Sequence, residues 1–280
     1  ICLRRAPSPL CAAKKKKSSS SSAAPKGFGA APAAPQKAPA PKKAADKKAT
    51  ALRNVAAKVT APRITTPPRT STSGEVRPVD IDLGRGKTIA VMLPAHEDTP
   101  DDFTLETMST SELQEKFGEL TGAGDIVWPA GLALTRMLAH CPSFVADKMV
   151  LELGAGLGAV GLTAADGGAT AVVLTDYDTN VLDLAMKGAV HNGVDARVAT
   201  SQMDWSLESV PTPEGGPFDL VVGADILYDQ QNAHNIARLL PQLLTSDGAR
   251  ALIADQTQWP WRADFEAICA KGGLGVIDMP

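Results

Sequence analysis

The chain has 280 residues, of which 44% are hydrophobic, and a formal net charge of −3. This length allows one large domain or two small ones. The four cysteines are scattered and form no C-x-x-C pair, which argues against a disulfide framework and against a zinc site. No apolar run approaches the roughly 18 residues of a membrane helix, so we expect a soluble protein that is not inserted in a membrane.

The small net charge conceals two segments of opposite sign. Residues 1–80 contain 17 Lys and Arg against three acidic residues, whereas residues 81–280 contain 11 basic and 28 acidic residues. The first segment is rich in Ala, Pro, Lys and Ser, and such a composition buries too little apolar surface to order the chain. We therefore expect residues 1–80 to form a disordered basic tail and residues 81–280 to form one domain.

The basic tail has several possible roles. It could bind nucleic acid or an acidic membrane surface. We favour a solvated extension or an organelle-targeting segment, because acidic residues are scarce and Ser and Ala are abundant at its start. A solvated extension is compatible with a cytoplasmic protein, and a transit peptide would direct the chain to a plastid or mitochondrion.

The elements alternate between strand and helix beyond residue 125. A strand is predicted at 88–94 and a helix at 132–141, separated by part of an acidic, irregular stretch at 81–124. Further strands are predicted at 149–153, 170–176, 196–200, 218–225, 249–255 and 274–279, and helices from Gly158 and at 180–192, 232–244 and 262–273. This alternation implies right-handed crossovers and predicts an α/β fold, a Rossmann-like doubly wound parallel sheet covered on both faces.

A glycine loop follows the first of these later strands. The segment LELGAGLGAVGL, residues 151–162, fits the dinucleotide-binding pattern G-x-G-x-x-G/A in two registers. Asp176 comes 22 residues after Gly154, at the end of the next strand, where a carboxylate can bind both hydroxyls of a ribose. These features fit a nicotinamide-dependent oxidoreductase and a methyltransferase equally well.

Glu152 favours one of these two classes. It lies two residues before Gly154, where a carboxylate would repel the pyrophosphate of a dinucleotide. S-adenosylmethionine (SAM) has no phosphate and carries a sulfonium and an ammonium group, so an acidic residue is favourable. The alternative is that Glu152 caps the following helix or pairs with a surface lysine.

Several motifs in the expected order resemble the class I (seven-strand) SAM-dependent methyltransferases. They are VLELGAGLGAVGL at 150–162, VVLTDYD at 172–178, MDW at 203–205 and DLVVGADILYD at 219–229. The segment IVWPAG at 126–131 narrows the resemblance to the family-16 protein methyltransferases, whose known members mostly modify lysine on other proteins. The resemblance covers roughly residues 120–280.

The resemblance implies a set of cofactor-binding residues. Trp128 would pack near the methionine end of SAM, Gly154, Ala155 and Gly156 would line the methionine moiety, Asp176 would hold the ribose, Asp204 and Trp205 would flank the adenine, and Ala224 would lie beside it. Other interpretations stay open: the tryptophans could be core residues, Asp204 a turn or cap residue, and Ala224 a small strand residue.

Asp225 and Tyr228 are the candidate catalytic residues. They follow the fourth core strand, where the acceptor would enter, although a helix cap and a half-buried tyrosine are the alternative. We expect a protein-lysine N-methyltransferase that uses SAM, needs no metal and binds a protein substrate through its target lysine. A methyltransferase for a small molecule or another side chain, and a catalytically silent SAM-binding module, are the alternatives.

The sequence departs from the class I pattern at its end. A seventh, antiparallel strand is expected between the fifth and sixth strands, but Pro280 follows the sixth strand almost at once. We therefore expect a domain that lacks its seventh strand and is truncated at the C-terminus. The segment DQTQWPWR at 255–262 offers no residue that can be aligned with a substrate contact.

Overall fold

A seven-stranded sheet forms the centre of the structure, a computed structural model that describes residues 1–5, 76–94, 126–245, 248–255 and 259–279. Its strands in chain order are β1 (Cys2–Arg5), β4 (Met149–Leu153), β5 (Ala171–Asp176), β6 (Val198–Gln202), β7 (Leu220–Ala224), β8 (Arg250–Ala254) and β9 (Leu274–Ile277). They lie side by side in the order β6-β5-β4-β7-β8-β1-β9. The five neighbouring strands β6, β5, β4, β7 and β8 are parallel, so the predicted α/β doubly wound fold is confirmed.

Helices cover both faces of the sheet. They are α1 (Pro129–His140), α2 (Ala159–Asp166), α3 (Thr179–His191), α4 (Gln230–Leu243) and α5 (Arg262–Lys271). Side chains alternate between the faces along each strand. In β4, Val150 packs in the core with α1, α2 and α3, whereas Leu151 and Leu153 pack in the core with α4 and α5. None of the helices within the described ranges is long and apolar enough to cross a membrane.

Strand β1 occupies the position of the strand that was expected to be missing. It pairs antiparallel with β8, placing Cys2 opposite Leu252, and antiparallel with β9, placing Cys2 opposite Ile277. Leu3 is fully buried in the core on the α4 side. The expectation that the sheet lacks its seventh strand is therefore wrong, because the first residues of the chain fill the slot between the fifth and sixth core strands.

The expected domain boundary at residue 80 is also corrected. Besides β1, a hairpin of β2 (Val76–Gly84) and β3 (Lys87–Pro94) crosses that boundary and packs on the helical layer. Residues 6–75 lie outside the described residues, so the disordered tail remains a prediction for them. The segment β1 was missed because four residues within a Lys-, Ala- and Pro-rich stretch carry little pattern, and their partners lie about 250 residues away.

The hairpin is anchored to α1 and α3 through its backbone. The Asn192 side chain accepts a hydrogen bond from the backbone N–H of Ala90 at 3.0 Å and donates one to the carbonyl oxygen of Ala90 at 2.7 Å. Near the C-terminal end of α1, Nε2 of His140 lies 2.7 Å from the carbonyl oxygen of Leu83. These contacts hold the hairpin against the face of the domain that carries α1.

Substitution of Leu3 tests the place of β1 in the sheet. Leu3→Ala removes a fully buried side chain, so we expect it to lower the free energy of unfolding by about 2–5 kcal/mol, measured by urea denaturation. The matched control is Arg4→Ala, whose side chain is exposed and whose effect should stay within about 0.5 kcal/mol. Equal effects of the two substitutions would show that residues 2–5 do not pack in the sheet.

Candidate active site

The candidate site lies where the order of the strands reverses. From β4 the chain passes first to β5 and β6 on one side, and later to β7 and β8 on the other. In open parallel sheets this switch point leaves a crevice at the carboxyl ends of the strands, and ligands bind there. The glycine loop connects β4 to α2 at this crevice.

Gly154 brings the loop close to two side chains. Its φ is +62°, in the left-handed region that favours glycine. A Cβ atom at this position would lie 2.8 Å from Cγ2 of Ile226 and 3.1 Å from Cη2 of Trp205. The next residue, Ala155, is buried and donates its backbone N–H to the carbonyl oxygen of Thr175 at 2.9 Å. The loop therefore needs glycine at 154 and is tied to the end of β5.

Asp176 connects the glycine loop to the segment after β5. Oδ2 of Asp176 accepts a hydrogen bond from the backbone N–H of Gly156 at 3.0 Å, and Oδ1 accepts one from Asp178 at 3.1 Å. Burial raises the pKa of this carboxyl group, and the backbone hydrogen bonds oppose that effect. A carboxylate offers about four acceptor positions, so both oxygens can still accept hydrogen bonds from hydroxyl groups. This geometry is compatible with the predicted ribose contact.

Glu152 points toward helix α2, as in the capping alternative, and a contact of Glu152 with a cofactor stays a prediction. Its side chain lies on the α2 face of β4, and Oε2 accepts a hydrogen bond from the backbone N–H of Gly161 at 2.8 Å, in the first turn of α2. A Cβ atom at Gly161 would lie 2.5 Å from Oε2, so glycine permits this contact. Burial raises the pKa of Glu152 to about 8. The structure supports the capping interpretation, and Glu152 no longer discriminates between SAM and a dinucleotide.

Trp205 and Tyr228 are linked through Asn232. The Trp205 ring packs on Gly154, and its Nε1 donates a hydrogen bond to Oδ1 of Asn232 at 2.9 Å. Tyr228 is 54% exposed. The buried part of its surroundings raises the pKa of the hydroxyl group, and a hydrogen bond with the Asn232 side chain opposes that effect. Two residues predicted for different roles therefore share one partner that the sequence did not single out.

Asp204 forms a local turn beside Trp205. Its Oδ1 accepts hydrogen bonds from the backbone N–H of Ser206 at 2.9 Å and from the Ser206 hydroxyl at 2.6 Å. This is the turn role kept open from the sequence. A contact of Asp204 or Trp205 with adenine stays a prediction.

Trp128, Ala224 and Asp225 meet at the start of α1. Trp128 is the residue that precedes the helix, and Pro129 begins it. Oδ2 of Asp225 accepts a hydrogen bond from the backbone N–H of Ala130 at 2.9 Å. A Cβ atom at Gly131 would lie 3.8 Å from the Cβ of Ala224, so the end of β7 and the first turn of α1 are in close contact.

Asp225 is held in an unusual conformation and environment. Its φ is +51°, a left-handed value that asparagine and aspartate tolerate better than most residues. Burial raises the pKa of Asp225 to about 6, and the nearby charge of Asp255 acts in the same direction. Such conformations and pKa values concentrate at functional sites. The cap role on α1 and a role toward an acceptor are compatible, because Oδ1 has further acceptor positions.

Sequence reasoning missed three residues around this crevice. They are Asn232, described above, Asp255 at the end of β8, and Tyr177, whose side chain is 67% exposed. The chain has only two tyrosines, and both are exposed near this edge of the sheet. Tyr177 directly follows Asp176, and Asp255 directly follows β8, so their positions after strand ends were the available signal.

The described ranges contain no group of three or more His, Cys, Asp or Glu residues arranged to hold a metal ion.

Comparison with known proteins defines the class of this site. Residues 107–263 match the model of a family described as lysine methyltransferase. This match covers more than half of the chain, and the chain belongs to that family. Of the two cofactor classes that the glycine loop left open, membership of a methyltransferase family implies SAM.

Curated relatives are about 30% identical to the chain over the stretches that align. The electron transfer flavoprotein beta subunit lysine methyltransferase of Xenopus laevis is 32% identical over 142 residues, which cover 51% of this chain and 54% of the relative. The protein N-lysine methyltransferase METTL21A of Xenopus tropicalis is 30% identical over 163 residues, which cover 55% and 70%. The chain thus spans about half the length of the first of these relatives.

Replacement of Glu152 tests the buried cap on α2. The folded-state pKa of about 8 lies above the ordinary value of 4.5, so the neutral carboxyl group stabilises the fold fully below pH 4.5 and this contribution is lost as the pH rises through 8. Glu152→Gln keeps an acceptor for Gly161 and cannot ionise. We expect urea denaturation from pH 6 to 9 to show a steeper loss of stability in the wild type than in Glu152→Gln.

Glu152→Ala serves as the control for the hydrogen bond itself. It leaves the N–H of Gly161 without its acceptor and should be less stable than the Gln variant at every pH. Parallel stability curves for the wild type and Glu152→Gln would contradict a buried carboxyl group with a raised pKa.

Proposed function

We propose that the protein is a SAM-dependent protein-lysine N-methyltransferase. The observation that carries the proposal is the position of two carboxylates, Asp176 at the end of β5 and Asp225 directly after β7, on the two strands that flank β4 and its glycine loop. This arrangement occurs at the switch point of the sheet, in a chain that belongs to the lysine methyltransferase family.

The residues at the crevice fit a cationic cofactor without phosphate. Gly154 keeps the loop packed closely against Ile226 and Trp205, and Asp176 offers further acceptor positions to ribose hydroxyls. Trp205 supplies aromatic surface against the loop at Gly154, and Trp128 directly precedes α1, whose first turn contacts the end of β7. When bound, SAM supplies a methyl group on a sulfonium that is activated for transfer to a nucleophile.

The acceptor would enter beside Asp225 and Tyr228. A lysine ammonium has a reference pKa near 10.4 and must lose a proton before its nitrogen can act as a nucleophile. Asp225, ionised above a pKa of about 6, attracts and orients the ammonium group. The half-exposed ring of Tyr228 forms a wall of the approach path, so the two residues position the amine.

The names of the relatives support a protein acceptor. One is an electron transfer flavoprotein beta subunit lysine methyltransferase, and another is a protein N-lysine methyltransferase. We propose the flavoprotein beta subunit of the same organism as a first trial acceptor. The deciding experiment incubates the full chain with labelled SAM and a lysate of its own organism, followed by mass spectrometry of the modified residue. Label on a small molecule would favour the alternative acceptor class, and SAM binding without label would favour a silent binding module.

Asp176→Ala tests the cofactor site. It removes a charged acceptor for two hydroxyls, each such hydrogen bond contributing about 1.5–3 kcal/mol, so SAM affinity measured by calorimetry should fall at least about tenfold. The matched control is Asp178→Ala, which removes a neighbouring carboxylate that caps α3 and should leave affinity within about threefold. Unchanged affinity in Asp176→Ala would count against the ribose contact.

Asp225→Asn tests the acceptor site. Asn can still accept the hydrogen bond from Ala130 but carries no charge, so we expect SAM affinity within a few-fold and methyl transfer reduced by about 10²-fold. In the wild type the rate should fall below about pH 6 as Asp225 becomes protonated, and the variant should lack this decline. Loss of SAM binding in Asp225→Asn would place Asp225 in the cofactor site instead.

A further inference from the structure

The segment that carries Asp225 and Tyr228 has no regular secondary structure. It runs from the end of β7 to the start of α4, and its backbone groups need partners outside a helix or strand. The backbone N–H of Asp225 donates to the carbonyl oxygen of Ala254 at 2.9 Å. The segment is therefore attached at its beginning to the end of β8.

Leu227 is held on both sides of its peptide backbone. Its N–H donates to Oδ2 of Asp255 at 2.6 Å, and its carbonyl oxygen accepts a hydrogen bond from Nε1 of Trp261 at 2.6 Å. The other carboxylate oxygen of Asp255, Oδ1, accepts a hydrogen bond from Nε1 of Trp259 at 2.6 Å. We call Asp255, Trp259 and Trp261 the Leu227 clamp.

The clamp is stiffened by aromatic stacking. The rings of Trp259 and Trp261 lie nearly parallel, with centroids 5.2 Å apart and planes inclined by 12°. Both rings are partly buried against the core on the α4 side. Stacked aromatic pairs of this kind add to the energy of burial, and each ring restricts the other. The two indole donors are thus fixed relative to Asp255.

The clamp restricts the two candidate catalytic residues through the chain itself. A peptide unit is planar, so fixing the N–H and the carbonyl oxygen of Leu227 fixes the units on both of its sides. Those units join Leu227 to Ile226 and to Tyr228. Tyr228 is therefore directly constrained, and Asp225 is constrained between this point and its own bond to Ala254.

We propose that Asp255, Trp259 and Trp261 are positioning residues for methyl transfer, acting through Leu227 on Asp225 and Tyr228. This inference rests on the proposed function. It assigns a role to three residues of the stretch 255–262, in which the sequence offered no substrate contact. Positioning contacts matter because displacement of a reacting group by about 1 Å can cost about 10²-fold in rate.

The experiment compares clamp variants in the full chain by three measurements. Trp261→Phe removes the donor to the Leu227 carbonyl oxygen and keeps an aromatic ring. Asp255→Asn replaces one acceptor oxygen by an NH₂ group, which then faces either the Leu227 N–H or the Trp259 Nε1–H. We expect amide hydrogen exchange in residues 226–228 to become at least about tenfold faster. Methyl transfer from labelled SAM into lysate protein should fall about tenfold, and SAM affinity by calorimetry should stay within about threefold.

A compensating variant separates the clamp from a general loss of stability. In Asp255→Asn the side chain has a single acceptor oxygen for the two donors, the Leu227 N–H and the Trp259 Nε1–H. Adding Trp259→Phe removes the Trp259 donor, so the Asn oxygen can accept the hydrogen bond from Leu227. The double variant should therefore transfer methyl groups faster than Asp255→Asn alone. Val145→Ala, a fully buried change near the amino end of β4, is the control for lowered stability, and it should alter neither exchange in residues 226–228 nor the rate at a temperature where it stays folded.

Each outcome decides a different part of the inference. Unchanged exchange in both Trp261→Phe and Asp255→Asn would show that the clamp does not hold Leu227 and would overturn the inference without reference to activity. Faster exchange with an unchanged methyl-transfer rate would overturn the positioning role. A wild-type protein that binds SAM but labels no acceptor would defeat the proposed function and the catalytic half of the inference, while the exchange result would still decide whether the clamp exists.

Discussion

Carboxylates that accept hydrogen bonds from backbone N–H groups hold the functional edge of this sheet together. One such carboxylate lies in or just beyond each of the four central parallel strands, and its partner belongs to a different segment of the chain. The pairs are Glu152 with Gly161, Asp176 with Gly156, Asp225 with Ala130, and Asp255 with Leu227. The glycine loop, the start of α1 and the segment after β7 are therefore positioned relative to one another by bonds to carboxyl oxygens, and those bonds that involve an ionised carboxylate are stronger than neutral ones.

The same bonds give the crevice its chemical character. Burying carboxylates is costly, and the cost is visible in the raised pKa values of Glu152, Asp176 and Asp225. A cationic ligand lowers that cost, since a positive charge favours the ionised carboxylate. In the proposed function, a cofactor with a sulfonium and a substrate with an ammonium group would both meet this condition.

Local patterns in the sequence predicted most of the fold and part of the candidate site. Every strand from β4 to β9 was predicted, because each is a short run rich in apolar residues within a chain that alternates strands with helical patterns. Glu152 was predicted to lie beside the cofactor, and alternation along β4 places its side chain on the α2 face. Strand β1 and the Leu227 clamp could not be predicted, since each depends on contacts between segments that are distant in the chain or lack a repeating pattern.

The position of β1 has a consequence for the order in which the sheet assembles. Residues 2–4 pair with residues 250–252, so this contact closes a loop of about 250 residues. Closing such a loop has an entropic cost, and we expect the contact to form late in folding. The strands from β6 to β8 pair with one another without β1, whereas β9 joins the sheet only through β1. This topology favours an order in which the parallel strands assemble first and β1 and β9 join them as a pair.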